Sequence, residues 1–280
     1  MSVLVPLLAA LAVQTDPPAP TLAEALAEGD AQWARRAEGA QGPVAEPGPI
    51  DRALPVYRRA LALAPDSTEA RWRLMRALFF RGAFCGAPID VQKRLYEEAK
   101  GLAEEGVERA ERSLGQPKGE ARLAALKTHP ELGPLYFWAG VSWGQWALVK
   151  GKVASAWEGA AGKIRDYAQV AIALAPEYED GGGFILLGRL HDQAPKIPLL
   201  TPWVSKAQAI ANLRRAIAIN RTNSIAMYFL ADVLLRREPA SAAEARRLLA
   251  DCAAVEPRPE YRVEDAHYSE MSRQRLAQQP

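Results

Sequence analysis

The sequence predicts an all-α fold, a right-handed solenoid of four to five stacked helix pairs with a capping helix at the C-terminus. Five helix-sized segments share one spacing of small and large apolar residues, and the segments that alternate with them share a second, complementary spacing. Residues three, four and seven positions apart lie on one face of an α-helix, so each spacing describes a helix with a single packing face. No segment has the pattern of a strand.

The first spacing runs small residue, large apolar residue four positions later, small residue three positions after that, and then a turn residue. Small residues let a neighbouring helix approach closely, and the final Pro or Gly ends the helix. This is the spacing of the second helix of a tetratricopeptide unit, whose period is about 34 residues. Its occurrences, some with substituted positions, are Ala53/Tyr57/Ala60/Pro65, Ala103/Val107/Ala110/Gly115, Ile164/Ala168/Ala171/Pro176, Ala209/Leu213/Ala216/Arg221 and Ala245/Leu249/Cys252/Pro257.

The complementary spacing belongs to the first helix of each pair: a large residue, then an apolar and a small residue together, then another large residue. It occurs at Arg71/Leu74/Met75/Leu78, Tyr136/Ala139/Gly140/Trp143, Phe184/Leu187/Gly188/His191 and Met227/Leu230/Ala231/Leu234. A generic amphipathic bundle would also place apolar residues at helical spacing. The alternation of two patterns in one register favours the repeat.

Breaks in the pattern set the order of the elements. A Gly/Pro-rich stretch at 38–49 separates the first two helices, the glycines at 181–183 open a later helix, and 195–202 is an apolar, Pro-rich loop inside a unit. The long helix at 91–114 interleaves Glu with Lys and Arg at i,i+4 spacing, the pattern of a solvated face. The helices are predicted at residues 22–37, 51–64, 68–81, 91–114, 119–126, 134–149, 153–174, from 181, 206–220, 224–237, 242–255 and from 263.

Length and charge narrow the classes of function. A chain of 280 residues can bury a large core, and a solenoid does so without dividing into globular domains. Lys and Arg together number 35 and Asp and Glu 33, and the signs are interspersed. The overall charge therefore makes no electrostatic case for nucleic acid or for an anionic membrane.

The N-terminus carries an apolar run at residues 3–13, followed by a polar, Pro-rich stretch. The run is too short to span a bilayer but suits a signal peptide, with a small-x-small cleavage site ending at Ala12. No Lys or Arg precedes it, and the alternative is a frayed apolar N-terminus of a cytoplasmic protein. We predict a signal peptide and Pro-rich spacer at 1–20, export to the periplasm, and a single tetratricopeptide-like domain at 21–280.

The two cysteines, Cys85 and Cys252, belong to different units. Cys252 takes a small packing position, where a thiol behaves as a small apolar group. Units of a solenoid contact only their neighbours, and a disulfide needs α-carbons within about 7 Å. We therefore expect no bridge between them.

Residue sets for catalysis, cofactors or metals are not recognisable in the sequence. It has no phosphate loop, no Cys-x-x-Cys, no His-Glu-x-x-His and no Gly-x-Ser-x-Gly. His191 is expected in the core, His129 in a turn and His267 on the cap. We predict a protein that is not an enzyme and that uses no cofactor and no metal.

The concave surface is the predicted binding site, because the first helix of each pair lines it. Aromatic side chains with a few charges suit an apolar ligand with a polar head, or a peptide segment of a partner. The alternative for each aromatic is that it only seals the core. The predicted residues are Trp72, Arg76, Phe79, Phe80, Phe137, Val141, Gln145, Arg189, Asp192, Tyr228, Asp232 and Arg236.

Several segments resemble the T-component family of TRAP transporters. They are residues 29–36 (GDAQWARR), 53–65, 73–77 (RLMRA), 95–99 (LYEEA), 136–140 (YFWAG), 176–183 (PEYEDGGG) and 187–188 (LG). The resemblance implies a tetratricopeptide fold with a channel through the helical bundle, an apolar organic ligand, and a periplasmic solute-binding protein as partner. Two features depart from the family pattern: no Cys follows the N-terminal apolar run, and the loop at 195–202 lacks a Gly-rich turn.

A second resemblance, carried by residues 151–176, is to the regulator of microtubule dynamics proteins, which share this type of repeat. The two resemblances agree on the fold and differ on function. The prediction is therefore a non-catalytic periplasmic protein of the T-component type, and the alternative is a general protein-interaction scaffold in the envelope or cytoplasm. Nucleic acid is not expected as a partner, and self-association is left open.

Overall fold

A computed structural model describes residues 20–151, 155–156 and 158–278. Within these residues the chain is helical, and an isolated bridge between Gln41 and Val44 is the one extended pairing. None of the described helices is long and apolar enough to cross a membrane. The α-helices are α1 (Leu22–Ala34), α2 (Pro47–Leu63), α3 (Thr68–Phe84), α4 (Ile89–Ser113), α5 (Gly119–Lys127), α6 (Gly133–Lys150), α7 (Ala160–Leu174), α8 (Gly182–Gln193), α9 (Lys206–Ile219), α10 (Ser224–Arg237), α11 (Ala242–Ala253) and α12 (Arg262–Ala277).

Five helix pairs build the fold: α1 with α2, α3 with α4, α6 with α7, α8 with α9, and α10 with α11. We call the first helix of each pair its A helix and the second its B helix. Each B helix also packs against the next A helix, and α5 is an extra short helix between α4 and α6. The result is the predicted tetratricopeptide-like helical solenoid.

The small positions of the repeat lie where helices cross. Ala60 and Ala216 are fully buried, and Cys252 is buried at the equivalent position of α11. At Gly188 in α8, an added Cβ would lie 2.6 Å from Leu213 Cγ and 3.2 Å from the Ala209 carbonyl oxygen. Only a residue without a side chain allows α8 and α9 to approach this closely.

Some helix boundaries differ from the sequence prediction. Helix α2 begins at Pro47 rather than residue 51, because a proline in the first turn of a helix loses no hydrogen bond. Helix α3 continues to Phe84, since Phe80 and Phe84 are both buried and gain a core contact from the extra turn. The helix predicted at 153–174 is interrupted: residues 155–156 are helical, Gly159 takes the left-handed conformation, and α7 begins at Ala160.

The solenoid closes on itself, which the sequence did not predict. The expected C-terminal cap, α12, does pack on α11 and α10, but it also contacts α3 near the other end of the repeat array. Val263 of α12 belongs to the core cluster formed by the first two pairs. The expectation that units contact only their neighbours is therefore wrong at this point, and the A helices α3, α6, α8 and α10 form a ring with α12.

Both cysteines are free, as predicted, and both are buried; burial was expected only for Cys252. Burial raises the pKa of the Cys85 thiol to about 12 and that of Cys252 to about 11, so both side chains are neutral packing groups. The predicted signal peptide and its cleavage site lie outside the described residues.

Candidate functional site

The inner face of the ring is formed by α3, α6, α8, α10 and α12. Each of these helices contacts the next one around the ring, and α12 returns to α3. The predicted binding residues all lie on the four A helices, and the structure brings them together in two groups. The first group lies on α3 and α6, and the second lies on α8 and α10.

Tyr178, in the turn before α8, is the centre of the first group. Its ring lies 6.4 Å from that of Trp72 and 5.5 Å from that of Phe137, and its hydroxyl accepts a hydrogen bond of 3.0 Å from Trp138 Nε1. The ring of Phe79 packs 5.7 Å from that of Trp138. The edge-to-face contacts among these rings make this half of the inner face largely an aromatic wall.

Two predicted residues of this group are core residues and not ligand contacts. Phe80 is 1% exposed and Phe137 is 8% exposed. Phe80 packs between Trp33 and Phe84, and Phe137 fills the space left by the missing side chain of Gly182. The sequence left this alternative open, and the structure decides it for these two. Trp72, Arg76, Phe79, Val141 and Gln145 remain half-buried on the inner face.

Arg76 is the cation of the first group. Its guanidinium lies 4.0 Å from the ring centre of Trp33 and 5.0 Å from that of Trp72. Its Nε is buried without a hydrogen-bond partner in the described residues, and Asp30 lies 3.7 Å from the guanidinium. Arg76 thus lies over aromatic rings with its Nε hydrogen bond unmade.

The second group is an ion-pair network on α8 and α10. Arg236 donates hydrogen bonds of 2.8 Å to both Asp192 and Asp232, and Arg189 lies 3.4 Å from Asp192. Burial opposes ionisation of Asp192, but hydrogen bonds from Arg236 and Gln193 bring its pKa below the usual value. Asp192 is therefore committed to the protein's own arginines.

Arg189, beyond its contact with Asp192, and Tyr228 also lie against aromatic rings on this part of the face. The Arg189 guanidinium lies 3.9 Å from the ring centre of Phe229, and burial lowers its pKa. Tyr228 is half-buried, and its ring lies 5.5 Å from Phe229 and 5.8 Å from Tyr268 of α12. A half-buried cation beside aromatic rings suits an anionic group attached to an apolar body.

Helix α12 contributes inner-face residues that the sequence analysis missed. Arg36, after α1, donates to both Glu264 and the Glu260 carbonyl, and the Arg36 and Glu264 side chains are 8% and 11% exposed. Burial raises the pKa of Glu264, and Arg36 opposes that change. The ring of His267 packs 5.4 Å from Phe84. No repeat spacing marks these positions, because each contact occurs once in the chain.

Glu179, between α7 and α8, is an acid held at the inner face. It has a positive φ of 50° and accepts a hydrogen bond of 2.9 Å from the hydroxyl of Tyr261. Burial raises its pKa, although Tyr261, Arg76 and Arg36 act in the opposite direction. The folded protein therefore binds the proton of Glu179 more tightly than the unfolded chain does.

This raised pKa predicts a pH effect on stability. As the pH rises from the ordinary Glu value of 4.5 through the folded-state pKa, ionisation of Glu179 should lower the free energy of unfolding. Glu179→Gln keeps an acceptor for Tyr261 without the charge. We expect this variant to be more stable than the wild type at pH 8, with the difference disappearing toward pH 4.5. Urea unfolding across this range measures it, and a difference independent of pH would contradict it.

A surface pocket of about 490 Å³ lies at one rim of the ring, where the C-terminal ends of α8 and α10 meet the start of α9. Lys196, Lys206 and Arg237 line it, and His191 and Asp192 form part of its wall. His191 is buried as predicted, and its Nδ1 accepts a hydrogen bond from the Ser205 amide. In the described residues no group of three or more His, Cys, Asp or Glu is placed to hold a metal ion.

The chain was compared with protein-family models, curated proteins and solved structures, and only solved structures match it. No family model matches the chain, and no curated protein matches it. Among solved structures, it is similar to the TPR2AB domain of yeast Sti1 in its pHSP90 complex, with 14% identity, 91% of this chain and 97% of that chain covered, and a TM-score of 0.31. It is also similar to yeast Tom70, with 13% identity, 97% and 68% covered, and a TM-score of 0.29. The fold assignment therefore stands on the helix packing described above.

Proposed function

We propose that this chain is a non-catalytic binding protein that holds its ligand on the inner face of the helical ring. In its specific form, the proposal is a periplasmic protein of the TRAP T-component type. It would bind an apolar organic ligand with an anionic head and dock a solute-binding protein. The closed ring carries the proposal, because it gathers aromatic rings and arginines of α3, α8 and α10 on one inner face beside α12.

The chemistry of the inner face supports an amphiphilic ligand. Trp72, Phe79 and Val141 offer half-buried apolar surface, while Arg76 and Arg189 lie against aromatic rings. An anionic head would gain charge-assisted hydrogen bonds from these guanidinium groups. The rings would cover the apolar body, as in other small-molecule sites.

The second candidate is a general protein-interaction scaffold, and the position of α12 favours it. The inner face accepts a helix of the same chain through Tyr268, which packs on Tyr228 and Phe229. A helical segment of a partner uses the same kind of contact. Under this alternative the ligand is a peptide, and the solute-binding protein has no special role.

Arg189→Gln tests the ligand site. Native mass spectrometry of the wild-type protein purified from its source should show a bound amphiphile, and the variant should bind it about ten-fold or more weakly because a charge-assisted hydrogen bond is lost. Arg214→Gln is the matched control, since Arg214 pairs with Glu244 between B helices and is 53% exposed. Equal ligand occupancy in both variants would contradict the inner-face site.

The partner is tested separately. A solute-binding protein and a membrane permease encoded beside this gene would favour the transport form of the proposal. Calorimetry of the purified solute-binding protein should then show binding to the wild-type chain. Binding of a helical peptide with no binding of the solute-binding protein would favour the scaffold instead.

A further inference from the structure

The connections between the A and B helices lie on one side of the ring. Direct contacts join neighbouring connections: the Ala45 amide donates to the Phe84 carbonyl at 2.8 Å, and Arg236 donates to Asp192 at 2.8 Å. We call this side the turn face. It comprises residues 35–46, 85–90, 148–151, 194–206 and 237–241, the described parts of the A-to-B connections with their flanking helix ends.

The turn face carries most of the exposed large apolar side chains of the described residues. Five of the seven lie there, and the other two are Leu63 and Leu123. Exposed apolar side chains concentrated on one side of a protein indicate an interaction site, whereas evenly scattered single residues need no explanation. The five, with their exposed fractions, are Val44 (47%), Ile89 (57%), Leu148 (61%), Leu199 (97%) and Leu200 (67%).

The loop between α8 and α9 holds Leu199 and Leu200 outward. Buried Thr201 fixes its base, since its hydroxyl donates to the Pro195 carbonyl at 2.5 Å and accepts from the Ile197 amide at 2.9 Å. Leu199 adopts a positive φ of 69°, a conformation that costs energy for a residue with a side chain. The loop is thus an ordered turn whose exposed large apolar side chains are both leucines.

Basic side chains surround this loop. Lys196, Lys206 and Arg237 line the pocket of about 490 Å³ beside it, and none of them forms an ion pair within the described part of the chain. The one acid in the pocket wall, Asp192, is already paired with Arg236. The near-neutral charge of the whole chain conceals this local excess of cations.

We infer that the turn face binds the surface of bilayers that contain anionic phospholipids. Leu199 and Leu200 enter the interfacial region, and the basic pocket holds a lipid phosphate. Binding to an anionic membrane surface requires exposed apolar side chains flanked by cations. The apolar side chains are removed from water, and the cations are attracted by the negative surface potential of the lipids. A lipid surface accepts apolar side chains wherever they project from the turn face, whereas a protein partner would have to match five separate side chains.

Vesicle flotation with the full chain tests the inference. We expect the wild type to float with vesicles of phosphatidylcholine and phosphatidylglycerol and to remain behind with phosphatidylcholine alone. Leu199→Ser/Leu200→Ser should lower the partition coefficient about ten-fold, since both leucines lose their apolar contact. Lys196→Ala/Lys206→Ala should lower it about five-fold for each lysine at low salt.

Leu63→Ser is the matched control, because Leu63 is an exposed leucine away from the turn face, at the end of α2. It should float like the wild type. The apolar run at residues 3–13 is present in every variant, so differences among them report on the turn face. A fluorophore on Leu199→Cys gives a second readout, since Cys85 and Cys252 are buried and the label enters position 199.

Three outcomes would overturn the inference. They are no binding to anionic vesicles, equal flotation of the wild type and the double serine variant, and no change in the emission of the label at position 199 when vesicles are added. If the serine variant instead loses a protein partner while the wild type ignores vesicles, the turn face docks a protein and the membrane assignment is wrong.

Discussion

Replacing Glu264 by Ala is expected to lower the free energy of unfolding by about 3–5 kcal/mol, the range found when one partner of a buried ion pair is removed. Arg36 would remain as a buried cation at the junction of α12 with the first helix pair, with the carbonyl of Glu260 and the rings of Trp33 and Phe80 as its remaining contacts. Chemical denaturation measures the loss. Hydrogen exchange should also show that the amides of α12 lose protection first.

The double variant Arg36→Met/Glu264→Leu separates pairing from packing. An apolar pair of similar volume avoids the uncompensated charge, so the double variant should be more stable than either single variant. The neighbouring pair of Arg35 and Glu38 provides the control, because both side chains are about half exposed and 2.7 Å apart. Glu38→Ala should cost at most about 1 kcal/mol. Additive losses in the buried cycle would show that Arg36 and Glu264 do not act as a pair.

Gly188→Leu is expected to destabilise the protein by about 3 kcal/mol or more, at the upper end of the range for overpacked cores. The new side chain would meet the branch point of Leu213 and the backbone of Ala209, neither of which can rotate away. Gly140→Leu should cost less, about 1–3 kcal/mol, because its nearest neighbour at 2.5 Å is the end of the flexible Leu186 side chain. Thermal and urea unfolding of the two variants show which one loses more stability.

Gly101→Leu is the matched control for both. Gly101 lies inside α4, is exposed, and an added Cβ would meet nothing within 4 Å. Since leucine is a better helix former than glycine, this variant should gain about 0.5–1 kcal/mol. Near-wild-type stability of Gly188→Leu would mean that the assigned packing of α8 against α9 is wrong.

The candidate site was only partly predictable from residue spacing. Spacing placed Trp72, Arg189 and Tyr228 on the inner face, where the structure has them half-buried. It could not separate these from Phe80 and Phe137, which are sealed in the core. Residues one helical turn apart share a direction, but exposure depends on which neighbour covers each one.

Contacts made only once were not predictable at all. Tyr178 and Glu179 lie in a turn. Glu264 and Tyr268 lie on α12, whose polar composition is typical of a capping helix. Glu264 and Asp265 are buried, which the polar composition of a capping helix does not indicate, because a sequence shows composition and not pairing. The partner of Asp265 is the nearby Arg258. The partner of Glu264 is Arg36, which is more than 200 residues away in the sequence.

The amino-acid sequence by itself determined the repeat: which segments are helices, which face of each one packs, and where small residues let two helices cross. These properties follow from local periodicity, so a single segment is enough to state them. The closure of the ring was decided only in the tertiary structure. Closure depends on small rotations between helix pairs that add up over the whole chain. It also depends on the contacts of α12 with Arg36 and Phe84 in the first two helix pairs. The turn face has the same origin, because residues distant in sequence share it only once the helix pairs are stacked in parallel.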